Sequence, residues 1–212
     1  MSVSGPLRAA TGWYGKLPSR GDFVQRGIEP AALRVWEVWL QAGMHHARQA
    51  LGVDLLEPRV RRFPVWRWLA WPDGPANDLL AGVLAPSHDR VGRAFPFLLQ
   101  QGVSAAQLAP LGWAGIEAAL ARLARTACSV CKETGESDFE AVLEDLGNVF
   151  EAPGKPLPRT KHRSPLQLLA DSPGTASLWW TAPANRTAPV PLGDGWPPHA
   201  ELLLEVLGGA SP

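Results

Sequence analysis

The chain has 212 residues, enough to bury a full core, and its 46% apolar and 19% charged residues are those of a folded globular protein, not a disordered one. Twenty basic and twenty acidic side chains cancel, so the broad positive field that non-specific nucleic-acid binding requires is absent. No apolar run reaches the roughly 18–20 residues that span a bilayer, Met1 to Ala10 has no apolar leader segment, and cysteines number only two; these features point to the reducing cytoplasm, without membrane insertion.

Residues 1–11 read as a disordered start, and Trp13 to Leu17 as a first strand. Pro30 suits the first turn of a helix. Leu33, Trp36, Leu40, Met44, Ala47 and Leu51 then recur at spacings of three and four, and Gly52 stops the pattern. Val65 to Trp71 alternates in part and is expected to be a strand, followed by a turn at Pro72-Asp73-Gly74-Pro75. Leu79 to Ala85 and Ala94 to Gln100 are two more strands, joined by a connection short enough to make them an antiparallel pair. Ser104-Ala105-Ala106-Gln107 is a capping box. Trp113, Ile116, Leu120, Leu123, Ala127 and Val130 give a long helix, and a second box, Ser137-Asp138-Phe139-Glu140, precedes a stripe of Phe139, Val142, Leu146 and Val149.

Glu151 to Pro165 reads as a long exposed connection. A short helix follows from Ser164, then a strand over Ser177 to Ala182, then a terminal helix over Ala200 to Leu207. No internal repeat is present. These elements predict an α/β fold: one domain over residues 12–207, a tail at 208–212, and a mixed sheet of about five strands with one antiparallel hairpin and helices on both faces. Ten tryptophans should lie mostly in the core, Trp179 and Trp180 on opposite faces of one strand. An exposed subset would mark a contact surface.

Two polar runs interrupt the apolar pattern. Both leave a strand at Pro-Ser and continue through charges and a glycine: Lys16-Leu17-Pro18-Ser19-Arg20-Gly21-Asp22-Phe23 and Pro86-Ser87-His88-Asp89-Arg90-Val91-Gly92-Arg93. Loops on a rigid scaffold are where binding groups usually sit. Asp22 and Asp89 are read as braces, because aspartates in turns cap nearby backbone N–H groups. Lys16, Ser19, Arg20, Ser87, Arg90 and Arg93 are read as donors to an acidic or phosphorylated partner surface.

Other constellations carry less. Cys128-Ser129-Val130-Cys131 lacks a second cysteine pair for zinc, and sits at the wrong end of its helix for a low thiol pKa. His45 and His46 point about 100° apart on a helix and cannot chelate one ion. Ser87-His88-Asp89 has the residue types of a hydrolase triad, but consecutive positions cannot reach triad geometry. Walker, dinucleotide and Gly-x-Ser-x-Gly signatures are absent. No metal and no cofactor is expected. The basic clusters Arg59, Arg61, Arg62, Arg67 and Arg159, Lys161, His162, Arg163 are read as solvated surface.

The run Gly12 to Val24, Trp36 with Trp39-Leu40, Ala81 to Ser87, Asp89 to Arg93 with Phe95-Pro96, and Ser177 to Thr181 occur in an order that resembles the TagF family of type VI secretion system-associated proteins. His88 and Ala94 depart from the pattern, standing where an apolar and an aromatic residue are expected. The resemblance implies a three-layer αβα sandwich and a cytoplasmic, post-translational repressor of secretion. The implied partners are a secretion component, with a link to a threonine-phosphorylation circuit and to a forkhead-associated scaffold protein. It brings no catalytic residues. The expectation is therefore a non-enzymatic regulator. The rivals are a small hydrolase using Ser87 or Ser19 with His162 or His199, and a structural accessory subunit of the apparatus.

Overall fold

The computed structural model describes residues 11–72, 78–134, 138–151, 164–171, 175–182 and 192–208. The turn expected after Pro72, most of the connection from Glu151 to Pro165, and the terminal segments 1–10 and 209–212 lie outside these residues. In chain order the elements are β1 (Thr11–Gly15), β2 (Val24–Arg26), α1 (Pro30–Leu51), α2 (Val53–Val60), β3 (Trp66–Ala70), β4 (Leu79–Ala85), β5 (Phe97–Val103), α3 (Ala105–Leu108), α4 (Gly112–Val130), α5 (Phe139–Glu144), α6 (Pro165–Asp171), β6 (Ser177–Thr181), β7 (Leu192–Asp194) and α7 (Ala200–Val206).

All seven strands form one sheet in the order β2-β1-β5-β4-β3-β6-β7. Every pairing is antiparallel, which corrects the expected mixed sheet of about five strands. The two missed strands, β2 and β7, are the edges. Each has three residues and no fully buried one, so neither carries the alternation that marks a strand in sequence. The helix α2 was missed as well, because Gly52 and Pro58 read as breakers.

Alternate residues of the strands enter two apolar clusters. Trp13, Leu69, Val83, Leu99 and Trp180 pack with residues of α4, α5 and α6. Tyr14, Trp68, Leu84, Leu98 and Trp179 pack with residues of α1, α2 and α7. Burial on both sides explains why β3 and β4 show little alternation in sequence. Trp179 and Trp180 are both buried, one in each cluster. Eight of the ten tryptophans are core residues, and Trp66 and Trp196 are partly buried, so no tryptophan marks an outer surface.

Trp36 stands at the centre of the second cluster. It packs against Trp39, Trp68, Trp179 and Trp196 with ring centroids 4.9–6.3 Å away, and its indole N–H donates to Gln100 Oε1 at 2.8 Å. Gly82 makes this packing possible: a Cβ there would fall 2.5 Å from the Trp68 ring. The local signals for the helices hold closely. Glu29 caps α1, Ser104 and Gln107 form the expected reciprocal box before α3, and α5 is capped by Asp138, not by the Ser137 that the second box implied. Of the expected stripe after that cap, Val142 is exposed and Leu143 is buried in its place, because α5 ends at Glu144.

Candidate functional site

The register places both Pro-Ser loops at one end of the sheet. Gly15 at the end of β1 pairs with Phe97 at the start of β5, which pairs with Ala85 at the end of β4. The connections that follow β1 and β4 therefore emerge side by side. Gly15 has φ +141°, and a Cβ on it would collide with the Pro96 carbonyl, so only glycine allows this approach. The second loop is longer at its far side than the sequence suggested. Ala94 bridges to His88 and Phe95 N–H donates to Ser87 O at 3.1 Å, which delays the start of β5 to Phe97. The two positions that depart from the family pattern, His88 and Ala94, are thus partners in one bridge.

Asp89 ties the loops together. Its side chain has no solvent exposure. Oδ2 accepts from Lys16 Nζ at 2.9 Å and Arg93 Nε at 2.6 Å, while Oδ1 accepts from the backbone N–H of Val91 at 3.1 Å and of Arg93 at 2.8 Å. Burial by itself would raise the pKa of this carboxyl. The hydrogen bonds from Lys16 and Arg93 outweigh it and hold the group well below the usual carboxylate range. Further bonds join the two backbones: Arg90 N–H to Arg20 O at 2.7 Å, Arg93 Nη2 to Gly21 O at 2.9 Å, and Ser87 Oγ to Lys16 O at 2.6 Å.

The expected contact residues therefore divide. Lys16 and Ser87 are buried and hold the loops from within. Ser19 is half-buried, and its hydroxyl is sealed from solvent without a partner. Arg20 is half-buried, with its guanidinium 4.9 Å from the centroid of the Phe139 ring. Arg90 and Arg93 are exposed, and Arg93 carries a bracing role besides. Asp22 is exposed and accepts from Phe23 N–H at 2.8 Å, a local turn contact.

The sequence reading did not find three supports of this site. Tyr14, Phe23 and Phe95 form an aromatic trio, with Tyr14 and Phe23 stacked at 5.6 Å and Phe95 edge-on to both. Lys16 Nζ lies 5.1 Å from the Phe23 centroid. Arg61 donates to Gly92 O from the α2 side. The Cys131 thiol, after α4, lies near Ser87, and burial pushes its pKa up to about 12. The signal for the trio was the spacing of aromatics around the two loops; nothing local pointed to Arg61 or Cys131.

His199 is far from either serine along the sheet. It follows β7, whose Asp194 pairs with Ser177, and Ser177 pairs with Ala70 at the end of the sheet opposite the loops. There it is engaged by Asp194, which raises its pKa. His162 lies outside the described residues. His88 Nδ1 faces the Asp89 carbonyl at 2.9 Å. Among the described residues no cluster of three or more His, Cys, Asp or Glu could hold a metal, and no helix is long and apolar enough to cross a membrane.

Residues 12–148 match the family model described as the TagF N-terminal domain, type VI secretion system-associated. The crystal structure of PA0076 from Pseudomonas aeruginosa PAO1 is similar over 96% of each chain, with 27% sequence identity and a TM-score of 0.67. No functionally curated protein matches the chain. The matched segment contains both Pro-Ser loops and the strands that carry them, and the chain belongs to the TagF family of type VI secretion system-associated proteins.

Proposed function

We propose that this protein is a non-enzymatic, cytoplasmic regulator that restrains type VI secretion by binding another protein of the system. Family membership supports the system. The Asp89 knot supports the mode of action. It fixes two loops into one rigid platform, with Arg90 and Arg93 facing solvent and Arg20 at its margin. Preorganised arginines suit an acidic or phosphorylated partner surface, because no loop ordering is needed on docking. The forkhead-associated scaffold implied by the resemblance is the partner to try first. The two core clusters on alternate strand residues support a three-layer αβα reading of the scaffold beneath.

The serines are poor nucleophiles here. Ser87 Oγ is spent on the Lys16 carbonyl, and His199 lies at the far end of the sheet. A nucleophile needs a base within hydrogen-bond reach.

The test is an Arg20→Ala/Arg90→Ala double variant, which leaves the Asp89 knot intact. It should fold, lose capture of the partner from a secretion-competent extract, and release secretion control. A folded double variant that still restrains secretion as wild type would refute the platform. The stoichiometry of the captured complex separates a transient regulator from a constitutive subunit.

A further inference from the structure

Arg67 is the second residue of β3, on the face covered by α4, and is only 7% exposed. Its guanidinium donates no hydrogen bond to any described residue; Nε is sealed from solvent beside Glu117, so only the two terminal nitrogens can meet a ligand. Glu117 Oε2 is 3.3 Å from that Nε, but the other Glu117 oxygen is taken by the Trp180 indole N–H. Buried polar groups are nearly always hydrogen-bonded, and one that is not calls for a water, an ion or a ligand. A depression of about 440 Å³, largely open to solvent, adjoins Arg67 and is lined also by Arg125, Cys128, Ser129 and Lys132.

Arg125 and Ser129, four apart, lie on one side of α4, and Lys132 follows in the turn just after the helix. Arg125 and Lys132 are exposed and form no ion pair with the described residues. Glu117 balances one of the three cations and leaves two. The C-terminal end of a helix disfavours anions. Here the carbonyls of Ala127 and Ser129 already accept from Cys131 N–H and Lys132 N–H.

We propose that the cleft between β3 and α4 binds a phosphate group, either free or as the ester of a larger ligand. Arg67 supplies the planar fork from the floor, Arg125 and Lys132 supply charge from the rim, and Ser129 supplies a hydroxyl donor. A dianion matches the two uncompensated positive charges, and an arginine fork matches phosphate oxygens. The site is separate from the loop platform and does not depend on it.

The experiment is isothermal titration of the full chain at fixed ionic strength, with chloride as the background anion. The probes are inorganic phosphate, a phosphoserine hexapeptide and its unphosphorylated parent. At least one phosphorylated probe should saturate while the parent does not. Tighter binding of the peptide assigns an ester, and equal or weaker binding assigns free phosphate. Affinity should fall by at least about tenfold in Arg125→Ala/Lys132→Ala, with circular dichroism and melting unchanged, and also in Arg67→Gln. If Arg67→Gln does not fold, the rim double variant decides alone. The proposal is overturned if neither phosphorylated probe saturates, or if the double variant binds as wild type.

Discussion

The molecule buries charge in two places, and it treats them differently. At the loop end, Asp89 is surrounded by donors: Lys16, Arg93 and two backbone N–H groups. Beneath α4, Arg67 has a carboxylate nearby but no hydrogen bond. A buried charge whose hydrogen-bonding capacity is filled acts as a rigid brace, whereas one left partly unfilled keeps capacity for something else. The knot is therefore read as scaffold and its rim arginines as the contact surface. The Arg67 cleft is read as a receptor.

The largest effect that would break this contrast is on stability. Asp89→Ala leaves Lys16 buried without a counter-charge and orphans two N–H groups, so it should cost about 3–5 kcal/mol. Urea unfolding measures it. Arg67→Met takes the counter-charge from Glu117, but that carboxylate is partly exposed and keeps its bond from Trp180, and no hydrogen bond is lost, so the cost should be smaller, about 1–3 kcal/mol. If Arg67→Met proves the more costly of the two, the distinction between brace and receptor fails.

The pH dependence sharpens the contrast through its sign. Asp89 is held below its ordinary value, so the unfolded chain binds its proton first as pH falls. Its stabilisation is present above about pH 4 and is lost as pH drops further. Glu117 has the opposite sense. Burial pushes its carboxyl up, against the smaller pull of Trp180 and Arg67. Its contribution is full below about pH 4 and declines as pH rises through the folded value. Chemical denaturation across this range should give a flatter acid limb for Asp89→Asn, and a flatter loss on the neutral side for Glu117→Gln. Equal slopes in wild type and both variants would remove the electrostatic part of the comparison.

The smallest expected effect on folding belongs to the platform itself. Arg20→Ala/Arg90→Ala leaves the knot untouched and should shift stability by no more than about 0.5 kcal/mol at Arg90 and about 1 kcal/mol at Arg20, which loses its place over the Phe139 ring. A melting shift well beyond that would make these arginines braces too.

Much of this was legible before any coordinates. The cap at Ser104, proline at the start of α1 and glycine at its end are local events, governed by a few residues of backbone geometry; the cap of α5 was legible to within one residue. The polar Pro-Ser runs stood out because charge inside an apolar pattern is costly to place without a reason. Family membership was also written there, in a long series of short segments kept in order.

The edge strands β2 and β7 were not legible, because three exposed residues take their conformation from a neighbouring strand and not from their own pattern. Nor was the inward turn of Lys16. Lysine in a loop reads as a surface donor until the sheet brings Asp89, 73 residues away in sequence, to within 2.9 Å. Arg67 likewise sat in a cluster read as solvated surface, and only the layer that α4 lays on that face of the sheet, with Glu117 reaching its side chain, buried it. What the amino-acid order determined was local geometry and which loops carried charge. Which of those charges face inward was decided by register and layer packing, because burial depends on partners distant in the chain.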